Sequence, residues 1–355
     1  MRAADTGRQQ GASLIDLMVG LAVGLAATLV TLNVAVSFEA RRRSLTGIAD
    51  AQGNAGYAIT MLSRELRMAG HGLGPPEALD CQLYRAATGA ADAVIALRPV
   101  RITQGTNGAS DTLVTLAGGI RSAPAARLIA PYLLDSGLLQ LDSTVDMATG
   151  DQLMLQSDGK PECALLAIAG FGAGSSYAVL PAAAPDILPG TTFGTGSAAV
   201  NLGALRHRRY TVDNRQRLQL AAFNTGSGLW SGATLADGVA SLQLQYGFDV
   251  RPGTPAMPQV GFWSDDLIDA DGNGSIDAAD WRRLLALRIA IVTRSAQRKD
   301  GPCDAAVPAW LAGNPNSGAL EPMPIRVDHL PDWRCWRYRV LQAEVPLRNQ
   351  IWSDD

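Results

Sequence analysis

The densest run of potential ligands in the 355-residue chain is DADGNGSIDAAD, from Asp269 to Asp280. Counted from its first acid, the run offers oxygen at loop positions 1, 3, 5, 7, 9 and 12. The donors are the side chains of Asp269, Asp271 and Asn273, the backbone carbonyl of Ser275, and the side chains of Asp277 and Asp280. Gly274 falls at position 6, where such a loop must turn sharply, and Ile276 at position 8 is expected to pack inward. Four carboxylates this close repel one another unless a cation lies among them, and a hard cation taking roughly six to eight oxygens at this spacing is Ca2+. Position 12 is Asp rather than the longer Glu. Asp280 would therefore bind through one oxygen or through water, with a modest affinity suited to calcium-rich surroundings outside the cytoplasm.

The spacing is that of an EF-hand calcium loop, with two differences beside it: GFWSDDLI ahead of the loop shows no helical stripe, and AADWRRLL after it can form only a short exit helix. Other chemistry has little support. Three histidines, His71, His207 and His329, stand alone, with no HExxH, no G-x-S-x-G and no paired Cys/His signature, and GFGAG at Gly170–Gly174 is too short for a phosphate loop. The chain is therefore not expected to be an enzyme. Thirty basic against 33 acidic residues leave a net charge of −3, without the broad positive field that nucleic-acid binding needs. The four cysteines, Cys81, Cys163, Cys303 and Cys335, form no CxxC pair, which argues against zinc and suits two disulfides in an exported protein.

The elements that must carry these residues begin with an apolar stretch. From Ala12 to Phe38 the only ionisable side chain is Asp16, and this run is long enough to cross a bilayer as a helix. It is about twice the length of a secretory signal core, and no clear A-x-A site follows it. A plain signal anchor is the simplest alternative. Arg2 and Arg8 before the run face Arg41, Arg42 and Arg43 after it, so charge alone does not set the topology. Beyond the arginines, Ile48, Ala51, Ala55, Ile59, Leu62, Leu66 and Ala69 recur every three or four residues, predicting an amphipathic continuation of the helix up to GHGLGPP. From about 80 to 260 short alternating runs between glycine-rich turns predict strands of an antiparallel sheet lying on that helix, with a hairpin at TVDNRQRLQL. LRIAIVTR and RYRVLQAEVPLRN predict further strands, separated by a Pro-, Gly- and Trp-rich loop that holds Cys303 and Cys335. A Cys303–Cys335 bridge would staple this loop and leave Cys81 to Cys163, one of three possible pairings.

The leader MRAADTGRQQG followed by ASLIDLMV resembles the class III signal of type IV prepilins and pseudopilins. The resemblance implies cleavage by a prepilin peptidase between Gly11 and Ala12, N-methylation of Ala12, and an axial register set by Asp16 against the N-terminal amine of a neighbouring subunit. Ala12 and Asp16 depart from the usual apolar first residue and the usual Glu. A carboxylate in hydrocarbon still needs a partner, although Asp reaches one methylene less far. VASLQLQYGFD, the calcium loop followed by Trp281, LRIAIVTRS and RYRVLQAEVPLRN together resemble the C-terminal half of PilW-type minor pilins.

What this implies is an α+β, pilin-like fold, with a long N-terminal helix that spans the membrane in its first half and packs on an antiparallel β-sheet head carrying an inserted β-rich region. The expected divisions are a leader at 1–11, a membrane and filament-core helix at 12–38, its amphipathic continuation at 39–74, a β-rich head region at 75–235, and a C-terminal β region at 236–355. The implied function is priming of pilus assembly at the filament tip, for twitching motility and adhesion. The implied partners are other minor pilins, the major pilin and a tip adhesin, with no nucleic acid. The chain would lie in the inner membrane, N-terminus cytoplasmic and head periplasmic, and then in the surface fibre. A minor pseudopilin of type II secretion and a membrane-anchored periplasmic calcium-dependent binding module are the alternatives.

Overall fold

The computed structural model describes residues 14–74, 78–79, 81–85, 94–119, 125–134, 137–156, 162–172, 178–181, 192–249, 259–270, 272–299, 301–314 and 317–351. Helix α1 runs unbroken from Leu14 to Met68, 55 residues or roughly 80 Å. Its halves meet different surroundings. Leu14–Glu39 has no buried residue, whereas Ala51, Ala55, Ala58, Leu62, Leu66 and Ala69 form one buried stripe. The helix stops at Gly70, whose φ of 81° lies in the left-handed region. Asn349, near the other end of the chain, donates its side-chain amide to the carbonyls of Arg67 and Ala69, satisfying two of the orphaned acceptors at the helix end.

The second half of α1 lies on an antiparallel sheet with strand order Val260–Ser264, Val239–Asp249, Leu284–Arg294, Tyr338–Pro346. LLALRIAIVTR is buried at ten of its eleven positions, as a strand covered on both faces must be. Leu287, Ile289 and Ile291 meet α1. Ala290 and Val292 meet a second apolar layer of Trp310, Ala312, Ile325 and Val327. That layer is the segment expected to be a loop. It contains a ribbon, Ala309–Gly313 paired with Leu320–Pro324. LEPMP does not read as a strand because proline cannot donate to a ladder, and a free edge is where a strand tolerates it.

A five-stranded antiparallel sheet extends this head, in the order Leu229–Asp237, Arg217–Asn224, Arg206–Val212, Thr112–Ala117, Val100–Thr103. The hairpin at TVDNRQRLQL is present. Asp213 Oδ1 accepts the N–H groups of Arg215 and Arg217, and Gln216 closes the turn at φ 60°. Val100, Ile102, Leu113, Tyr210 and Leu218 turn one face of this sheet into the α1 core.

The remaining β region centres on a sheet containing Gln82–Arg85, Val94–Ala96, Gln152–Gln156, Glu162–Phe171 and Ala198–Gly203. The antiparallel expectation fails at one place here, because Gln82–Arg85 runs parallel to Glu162–Phe171. A parallel pair needs a long crossover, and the chain between Arg85 and Glu162 supplies one. The molecule is thus α+β, with one long helix and several mainly antiparallel sheets.

Candidate functional site

The hydroxyls in the apolar half of α1 bond back to its own carbonyls. Thr28 Oγ1 donates to the Leu25 carbonyl (2.8 Å), Thr31 Oγ1 to those of Ala27 (3.1 Å) and Thr28 (2.9 Å), and Ser37 Oγ to that of Asn33 (2.8 Å). Each hydroxyl is therefore satisfied inside the helix, as a medium without water demands. Gly20 and Gly24, one turn apart, have nothing within 4 Å of where a Cβ would stand. Asp16 lies in the first turn and is exposed. Gly11 and Ala12 lie outside the described residues.

The acidic loop is closed by its own hydrogen bonds. Asp269 accepts the N–H groups of Gly272 (2.7 Å), Asn273 (3.1 Å) and Gly274 (2.7 Å), with both glycines at positive φ. Asn273 Oδ1 accepts from the backbone and hydroxyl of Ser275, and its Nδ2 donates to Asp277 Oδ2 at 2.9 Å. Asp277 caps the short helix α2 (Ala278–Arg282) by accepting from Ala279 N, while Asp280 Oδ2 accepts from Asp277 N at 3.0 Å, a reciprocal capping box. The Asn273 amide and these N–H bonds hold the Asp277 carboxyl below the usual carboxylate range. Asp280 is buried, and its Oδ1 accepts from Ala270 N at 2.7 Å, tying the start of the loop to its end.

Asp271 lies outside the described residues. Among the described ones, no three His, Cys, Asp or Glu side chains converge on a point that could hold a metal ion. The donor set nevertheless fits calcium chemically. It consists of hard oxygens: each carboxylate oxygen of Asp280 takes one hydrogen bond, and the Asp277 carboxylate takes three, from Asn273, Ala279 and Asp280, which leaves lone pairs on both groups. Ile276 does not pack inward as expected and is 39 % exposed. The chain ahead of the loop is the strand Val260–Ser264 and irregular backbone, so no entering helix covers that side chain. Trp281, directly after the loop, is 1 % exposed and stands in the α1 core, which couples the loop to the strand that begins at Leu284.

Cys81 is joined to Cys163 and Cys303 to Cys335. The first bridge ties the parallel strand pair, and the second staples the layer behind the central sheet.

Sequence reasoning missed the polar groups that lock the helix to the head. Glu65 is buried on α1 and accepts from Arg206 at 3.0 Å and Arg208 at 2.6 Å, so one strand of the five-stranded sheet grips the helix through a charged fork. Asp111, also buried, accepts from Gly105 N (2.9 Å) and Leu244 N (2.8 Å), and burial pushes its carboxyl up to about 7. Gln245 bonds Asp265 Oδ1 and both backbone groups of Gly313. Charged residues at alternate strand positions read as a solvent face, and the alternation of RHRRYTV hid that one of its two charged faces meets Glu65.

Residues 204–349 match the PilW family, described as Type IV Pilus-assembly protein W. The matched span takes in the Arg206–Val212 strand, the acidic loop with α2, the central sheet and the Cys303–Cys335 layer, and it does not include α1. No curated protein and no solved structure matches the chain.

Proposed function

We propose that the chain is a minor pilin that takes part in type IV pilus assembly, priming the filament at its tip together with other minor pilins. The observation that carries this reading is the combination of a PilW-like C-terminal region with a helix whose first 26 residues, Leu14–Glu39, are uncovered by the rest of the chain. Apolar surface left in water costs about 25 cal/mol for each Å², so this segment needs lipid first and other helices later. Self-satisfied hydroxyls suit both media. The strip at Gly20 and Gly24 suits close approach by another helix. In this reading prepilin peptidase cuts after Gly11, Ala12 is methylated, and Asp16 pairs with a neighbour's terminal amine. The head lies in the periplasm, where two disulfides persist. The chain acts by packing and not by catalysis, with the major pilin and a tip adhesin as further partners, and adhesion and twitching motility as the outcomes.

Deleting the gene from its bacterium should abolish surface filaments and twitching while leaving type II secretion intact. A chain carrying Leu25→Arg should fail to restore them. Normal piliation in the deletion strain would sink the proposal, and lost secretion with intact pili would move it to the pseudopilin alternative.

We also infer that the Asp269–Asp280 loop binds calcium, with Asp269, Asp271, Asn273, Asp277, Asp280 and the Ser275 carbonyl as donors, and that the ion stiffens the head through Trp281. Calcium added to the detergent-solubilised full chain should raise its melting temperature, and EGTA should reverse the change. Asp269→Ala together with Asp277→Ala should remove the response. An identical melting temperature in calcium and in EGTA would refute it.

A further inference from the structure

The strand Arg206–Val212 treats its two charged faces differently. Arg206 and Arg208 point toward α1 and share Glu65. Arg209 points the other way, away from α1, where the sheet register places it opposite Val114, and Arg101 is opposite Val114 from the other side. Two strand spacings separate the arginines, roughly 10 Å between backbones. On the far side of Arg209 the same row continues with Ala221 and Gly232, side chains too small to fill the space above it. His207, one row along, packs against Trp230 at 4.9 Å between ring centres.

Arg98, Arg101, Arg209, His207 and Trp230 line a cavity of about 150 Å³ between this sheet and the strand Val94–Ala96. No carboxylate is among its described lining residues, and neither Arg101 nor Arg209 makes an ion pair with a described residue. Like charges gathered in a partly walled space raise each other's free energy, and a bound anion relieves it. Arg209 is held at the cavity by Trp230, its guanidinium carbon lying over the indole ring at 4.3 Å from the ring centre. A guanidinium carries five N–H donors in a planar fork that matches two oxygens of an oxyanion. The cavity is about half the lower end of the range for drug-sized ligands, roughly 300 Å³, so it suits a small charged group and not a large cofactor.

We propose that this cavity is a binding site for a compact oxyanion, a phosphate or a carboxylate, held by Arg209 and Arg101. Arg209 points away from α1, and neither Arg209 nor Arg101 belongs to the acidic loop, so the proposal does not rest on the pilus reading. Calorimetric titration of the detergent-solubilised full chain with inorganic phosphate and with glucuronate, using glucose as the neutral control, tests it. At least one oxyanion should bind saturably and glucose should not. Arg209→Gln and Arg101→Gln should each weaken binding about tenfold or more, and added sodium chloride should weaken it as well. Arg215→Gln, on the exposed hairpin turn, should leave it unchanged. Binding of phosphate alone assigns a phosphorylated ligand, and binding of glucuronate alone an acidic sugar. If Arg209→Gln shifts the unfolding midpoint, the exposed Arg101→Gln carries the test. Absence of binding for both anions at about 10 mM, a range too weak for a built site, would overturn the proposal. So would binding that is unchanged in Arg101→Gln.

Discussion

Asp111 accepts two backbone N–H groups where the five-stranded sheet meets the central one, and the nearby Asp265 charge adds to the effect of burial on its carboxyl. Its folded pKa, about 7, lies above the ordinary 3.8, so the native state keeps a proton that the unfolded chain gives up from about pH 4. Stability from this group is fully present below that point and is lost as pH rises through 7, by up to a few kcal/mol. Asp213, Asp304 and Asp328 are held low by their hydrogen-bond partners and act in the opposite sense, but only as pH falls below about 4. The urea midpoint should therefore be higher at pH 5 than at pH 8, and Asp111→Asn should flatten the difference. A wild-type midpoint equal or higher at pH 8 would contradict this account. None of it was legible in the sequence, because the partners of Asp111 are backbone amides and one of them is 133 residues away. The tight turn at Asp269–Asp280 was legible because the Asp, Asn and Gly residues that close it through hydrogen bonds are neighbours in the chain. Ile276 was misjudged because its environment depends on a helix that the preceding segment does not form.

At the scale of elements, α1 is one helix with two kinds of surface, and the periodicity of its residues announced both. What periodicity could not supply was the orientation of the head on the helix, which Glu65 fixes through Arg206 and Arg208. The carboxylate is buried while each arginine keeps about a third of its side chain in water, so the fork is worth less than a fully buried pair. Glu65→Gln should lower the unfolding free energy by about 2 kcal/mol. A loss under about 0.5 kcal/mol, the usual range for surface changes, would show that the apolar stripe alone sets the docking. The hairpin at Asp213–Gln216 was readable because its turn chemistry is local. The parallel pairing of Gln82–Arg85 was not, since it rests on a distant strand and on the Cys81–Cys163 bridge.

Among the described residues, the buried core of the head draws on the second half of α1 and not on the first. The stripe from Ala51 to Ala69 meets the central and five-stranded sheets, and the Cys303–Cys335 layer covers the opposite side of the central sheet. The segment Leu14–Glu39 is the conspicuous uncovered apolar element, and the proposed assembly role rests on it. That a long helix precedes a β-rich head was legible from hydropathy and alternation, whereas the sheet order and the layer behind the central strand come from long-range pairing. The most direct test is the N-terminus of the mature chain, read by mass spectrometry on protein recovered from the membrane and from sheared surface fibres. The account predicts a first residue of N-methylated Ala12 in both fractions. An intact Met1, or a cut on the far side of Phe38, would contradict it.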